Sequence, residues 1–206
     1  MSISPLNEDK DELKMEIDKN FKLIQTVNQL SQLQIAQVHL IYELSFLKIF
    51  LAWELFLEKS FILFMLGKKT DSGYKPRRYV NPRDEKHAYE LIKGGRSFPD
   101  WLNLEFIREK SELFFENGSP FKDVLYNNQT IKEGLQMMKI TRNRIVHISP
   151  KTKDEFINLL RNEFGYDLGI GPGEFLRKNK ARSKKSLSYI DYFKDILLMA
   201  ANNIVR

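Results

Sequence analysis

Residues 38–66 read VHLIYELSFLKIFLAWELFLEKSFILFML, and this run decides the fold. Glu43, Lys48, Glu54, Glu58 and Lys59 interrupt it. A membrane span wants roughly 20 nearly uncharged residues, so this is not one. From Leu44 onward apolar residues fall on nearly every side of a helix, the pattern of a central helix buried in a bundle. The spacing predicts a helix over 32–66 that stops at Gly67, a residue suited to a helix C-terminus.

Composition agrees with packed helices. The chain has 206 residues, with 42% hydrophobic, 12% aromatic and 29% charged residues. Fifteen Phe stand against 10 Gly and 7 Pro, which is not the balance of many short strands. Lys and Arg number 33 against 27 Asp and Glu, a net charge of +6 that permits an acidic partner without naming one. There is no Cys, which excludes a disulfide framework, a thiolate zinc site, an iron–sulfur cluster and a cysteine nucleophile. His39, His87 and His147 are too few for a poly-His metal site, so no metal and no cofactor is expected. The polar opening lacks an apolar targeting segment, and a cytoplasmic protein is expected.

Other helices follow from period and punctuation. Leu13, Ile17, Phe21, Ile24 and Val27 recur at helical spacing over 9–29. Residues 68–83 read as a basic loop, followed by a short helix from Asp84 to Lys93. Pro99 is placed in the first turn of a helix to Glu116. Ser119-Pro120 opens a short helix. Thr130 with Glu133, and Thr152 with Glu155, form capping boxes. Residues 165–186 read as a connection, Gly-rich and then basic. Ser188 with Asp191 caps a last helix with the stripe Ile190, Phe193, Leu197, Ala200, Ile204. No stretch alternates as a strand. The expectation is one all-α domain over 1–206, with its core over about 32–165 and a basic loop and helix over 166–206.

Chemistry concentrates in Thr141-Arg142-Asn143-Arg144-Ile145-Val146-His147. Ile131, Leu135, Met138 and Ile145 form an apolar stripe on which Arg142 also falls. A guanidinium there is costly without a partner or an interface. Asn143 and Arg144 lie one turn before His147 and share its face. Arg142 is about 140° from His147 round an ideal helix, a gap for its long side chain or a distorted helix end to close.

Arg-Asn-x-x-x-His at residues 142–147, followed by a break, resembles the signature of the HEPN superfamily. The upstream run Phe50-Leu51-Ala52-Trp53-Glu54-Leu55-Phe56-Leu57-Glu58 resembles the HEPN helix that carries an acid toward the site, with Glu54 as that acid. Together these span roughly residues 35–165. Requiring Asn directly after Arg at fixed spacing lowers the chance expectation to roughly 0.01 per chain. Ser149 stands where some toxin members carry a regulatory Tyr. The resemblance implies an all-α HEPN-like bundle with additional terminal helices. It also implies a metal-independent ribonuclease whose two motifs meet across a homodimer, often a toxin or defence effector with an antitoxin or other regulatory partner.

The residue types suit that chemistry. RNA is cut without metal when its 2′-hydroxyl attacks the adjacent phosphorus. His moves protons near neutrality, and Arg stabilises the phosphorane through its planar fork. On this reading Arg142, His147, Asn143 and Glu54 are catalytic. Arg144 is a candidate substrate contact. So are Arg77 and Arg78, in a loop with interleaved tyrosines, and Lys184 and Lys185, in the basic run 177–185. Plainer readings stand beside these. Arg142 is also a plausible ion-pair partner of Glu54, His147 a satisfied helix-end histidine, and Gly169–Gly173 a plain loop. The alternative function is a non-catalytic HEPN-like module that binds RNA or a protein partner.

Overall fold

The computed structural model describes residues 3–181 and 186–206. Among them the chain forms helices and no strand: α1 (Pro5–Gln29), α2 (Ile35–Met65), α3 (Glu85–Lys93), α4 (Leu104–Phe114), α5 (Gln129–Val146), α6 (Pro150–Phe164), α7 (Pro172–Arg177) and α8 (Tyr189–Ile204). A single 3-10 turn (Glu116–Gly118) and a π turn (Lys122–Asn127) lie between α4 and α5. The all-α expectation holds. No helix among the described residues is long and apolar enough to cross a membrane.

Local chemistry sets the helix starts, and some differ from the sequence reading. Asp84 caps α3, its carboxylate accepting from the His87 N–H at 2.8 Å. α4 starts at Asn103, whose side chain accepts from the N–H groups of Glu105 and Phe106, and Pro99 stays outside the helix. At the start of α5 the Asn128 side chain accepts from the Ile131 N–H at 3.2 Å, in place of the expected Thr130 box. Ser149 caps α6 in place of Thr152 because Pro150, with its fixed φ and missing N–H, fits the first turn. Ser188 caps α8 as expected, its hydroxyl accepting from the Asp191 N–H at 3.3 Å.

The residues group into two compact units. The first comprises residues up to Met15, Ala52–Lys132 and Leu197–Arg206. Its centre is Phe61 of α2, whose ring lies 4.6 Å from Phe121, 5.0 Å from Phe115 and 5.5 Å from Trp101. The Lys59 ammonium lies 3.1 Å from Asp9 and 2.8 Å from Glu12, tying α1 to α2. Burial nonetheless holds the Asp9 carboxyl above the usual carboxylate range.

Glu16–Leu51 and Glu133–Ile196 make up the second unit. Phe175 of α7 stacks on Tyr189 of α8 at 4.1 Å and meets Phe156 of α6 edge-on at 5.6 Å, while Phe46 of α2 lies 5.7 Å from Phe193. α7 falls inside the stretch read as a connection. Phe175 and Leu176 are fully buried, which gives this six-residue helix its reason to form. Gly173 lets it approach α2: a Cβ there would lie 2.5 Å from the His39 carbonyl oxygen. The Gly173 N–H donates to Glu43 at 2.8 Å, so within the Gly169–Gly173 run Gly173 is the packing position.

α2 departs from the expectation of burial on every side. Val38, Tyr42, Phe46, Ile49, Phe50 and Trp53 are buried, but Leu40, Leu44, Leu51 and Leu55 are each more than half exposed.

Gly173→Ala is expected to destabilise the protein by about 1–3 kcal/mol, because the obstacle is helix backbone that cannot rotate away. Gly171→Ala, with open space around it, is expected to be close to neutral. Urea denaturation of the two variants checks both.

Candidate active site at the end of α5

α5 presents Ile131, Leu135 and Met138 to the core, and Arg142 comes next on that stripe, half-buried. α5 ends at Val146. The His147 N–H still donates to the Asn143 carbonyl at 2.9 Å, so its backbone follows the last turn while its ring is exposed. Thr152 then fixes the link to α6. Its hydroxyl donates to the His147 carbonyl at 2.7 Å, and its N–H donates to the Ser149 hydroxyl at 3.3 Å. Residues 147–149 are thereby held from both helices.

Arg142 Nη1 lies 3.4 Å from His147 Nε2 and 3.3 Å from Asn143 Oδ1. The length of the Arg142 side chain closes the angular gap to His147. Arg can only donate, so as a hydrogen bond this contact requires Nε2 to accept. A guanidinium, an amide and an imidazole thus converge within one helical turn at the surface. That set suits an anionic phosphate and the transfer of one proton. Ile148, next to the ring, is 96% exposed.

The remaining candidates are placed as follows. Arg144 is half-buried on the last turn of α5. Glu54 is half-buried on α2 in the first unit, whereas the Arg142 cluster belongs to the second. Arg77 is largely exposed, 3.5 Å from Glu116, and neighbouring Tyr79 is 63% exposed. Arg78 is half-buried and donates to the Met65 carbonyl at the end of α2. Lys184 and Lys185 lie outside the described residues.

Two features of the second unit escaped the sequence reading. Arg177 Nη1 lies 3.2 Å from His39 Nε2, a second Arg–His contact joining residues far apart in the chain. No spacing rule finds such a pair. A groove of about 550 Å³ also runs between α5 and α6, lined by Glu133, Met137, Ile140, Glu155, Leu159 and Glu163 together with Lys180 and Tyr192. Lys180 and the Tyr189 hydroxyl both bond to Glu163, at 3.3 Å and 2.6 Å. Burial holds the Tyr192 phenol above its ordinary range. Three carboxylates against one ammonium in the lining make the groove unfavourable for an anionic ligand. Among the described residues, no group of three or more His, Asp or Glu is placed to hold a metal ion.

Comparisons of the chain with family models, with curated proteins and with solved structures found no match.

Ser149→Ala removes the cap of α6 and is expected to cost about 1 kcal/mol, a fall in Tm of about 2–4 °C. Thermal unfolding followed by circular dichroism checks this.

Proposed function

We propose that the chain is a metal-independent endoribonuclease of HEPN type, acting as a toxin or defence effector. The observation that supports this best is the Arg142 guanidinium lying 3.4 Å from His147 Nε2, with Asn143 beside it at 3.3 Å. A scissile phosphate between these groups has a fixed cation for its developing charge and an imidazole for its protons.

In this reading Arg142 turns from His147 Nε2 to the phosphate, and the Nε2 lone pair so released takes the proton of an RNA 2′-hydroxyl. The freed oxygen attacks the adjacent phosphorus, the bond from phosphorus to the 5′-oxygen breaks, and that oxygen takes up a proton. The products are a 2′,3′-cyclic phosphate and a 5′-hydroxyl. Arg142 stabilises the phosphorane, and Asn143 holds a phosphate oxygen or the Arg142 fork. A second copy of the chain faces its own pair into the same cleft and supplies the leaving-group proton. Glu54 is assigned to this machinery by resemblance alone. Arg77 and Tyr79 of the first unit offer an exposed cation and a ring for contacting single-stranded RNA, and Arg144 stands within the motif itself. An antitoxin or other regulatory protein restrains the activity.

A second reading, a non-catalytic module that binds RNA, is favoured by the same exposed Arg77 and Tyr79.

The test is RNA cleavage with EDTA present. Wild type is expected to cut and to leave a cyclic-phosphate end. Arg142→Ala and His147→Ala are each expected to lose about 100-fold or more in rate, and Asn143→Ala about tenfold. Full activity in His147→Ala overturns the proposal. A wild type that binds RNA without cutting selects the second reading.

A further inference from the structure

Between Leu40 and Leu51, α2 carries two apolar faces. One is packed: Tyr42, Phe46, Ile49 and Phe50 are buried. Leu40, Leu44, Leu47 and Leu51 form the other, with Leu40, Leu44 and Leu51 exposed by 54%, 53% and 56% and Leu47 half-buried. All of these residues belong to the second unit. The leucines are spaced four, three and four apart, the alternation of a two-helix seam in which each side chain enters a hole on a facing helix. A contiguous apolar stripe open to water marks a surface that another molecule covers.

The borders of the stripe say which molecule. Glu43 and Lys48 flank it on opposite sides, five residues apart, and Lys48 is exposed. When two such helices run parallel, the residue on one border faces the residue five positions later on the other helix. Glu43 then meets Lys48 of the second copy, and the two-fold axis repeats the pair. The Glu43 carboxylate also accepts the Gly173 N–H at 2.8 Å, which orients it at that border. The stripe is therefore complementary to itself in both spacing and charge.

We propose that Leu40, Leu44, Leu47 and Leu51 form the seam by which α2 packs, in parallel, against α2 of a second copy of this chain. With Gln37, Ile41 and Lys48 alongside, the seam covers on the order of 600 Å² per copy, the lower end of stable interfaces. An interface of that size is weak, and association is expected only at micromolar concentration or above. The proposal deepens the two-copy reading above and rests on it only for what the pairing accomplishes in cleavage.

Light-scattering mass measurement on the full chain tests it. Wild type at high micromolar concentration is expected at twice the 24.4 kDa chain mass. Leu44→Glu/Leu51→Glu is expected at the single-chain mass, with helicity and Tm kept, because both side chains point to water. Leu44→Ser/Leu51→Ser serves as the milder pair if the first misfolds. Lys48→Glu is expected to weaken the dimer about tenfold or more, and Leu113→Glu, exposed on α4, to leave it intact. Because the chain has no cysteine, Leu44→Cys is a clean reporter: parallel pairing brings the two thiols together, and mild oxidation is expected to cross-link them. A monomeric wild type overturns the proposal, as does a dimer that survives both double variants. A dimer lost in the double variants but without the Leu44→Cys cross-link overturns the parallel arrangement. A monomer that cuts RNA removes the seam and leaves the nuclease. A dimer that cuts nothing removes the nuclease and leaves the seam.

Discussion

Phe46 and Phe61 both lie on α2, and each is a ring onto which a separate aromatic cluster condenses. Without Phe61, the rings of Trp101, Phe115 and Phe121 in the first unit lose their shared neighbour. Phe46 carries Phe193 in the second, and through it the Phe175–Tyr189 stack that folds α7 against α8. Large aromatic side chains bring the most apolar area per residue, so they dominate the burial that offsets chain entropy. A regular helix of 31 residues presents them at fixed spacing. The short, irregular elements between α4 and α5 and around α7 depend on it for their partners.

The α5 terminus works on a different principle. Arg142 begins on the inward stripe of α5, where its charge is costly, and its guanidinium emerges beside an exposed imidazole. Holding a cation part-way in shields it from bulk water and strengthens its action on any anion that arrives. His147 sits just past the helix, where its ring is freed from the helical surface while its backbone stays pinned by Asn143 on one side and Thr152 on the other. Backbone order with side-chain access is what proton transfer at a surface needs.

Much of this was written in the sequence. The periodic stripes of α1 and α8 predicted most of their buried residues, with Ile17, Leu197 and Ile204 fully enclosed and Phe21 of the α1 stripe half-buried. Ser188 announced its helix because capping is local chemistry. Thr130 and Thr152 misled because Asn128 and Ser149 lie nearby and compete for the same N–H groups, and local pattern does not rank them. α7 was hidden by its glycines, which read as loop until Gly173 is seen against His39. At the candidate site, Arg142, Asn143 and His147 were legible because they are near in sequence. Arg177 with His39 was not, since only the tertiary fold joins them. Nor did the run over 38–66 reveal that one of its apolar faces meets water. Hydrophobicity records that a surface is to be covered, not by which molecule.

One contact at the end of α2 has an evolutionary meaning. Gly67 takes φ 78°, and a Cβ on it would lie 2.7 Å from Cζ of Arg78, whose guanidinium closes the helix by donating to Met65. The two positions share one volume. A lineage that gained a side chain at 67 would have to move the arginine at 78, whereas one that lost the arginine would still be held to glycine at 67 by the left-handed φ. The dependence runs one way: the arginine needs the glycine's empty volume, while the glycine is required by its own backbone whatever stands at 78.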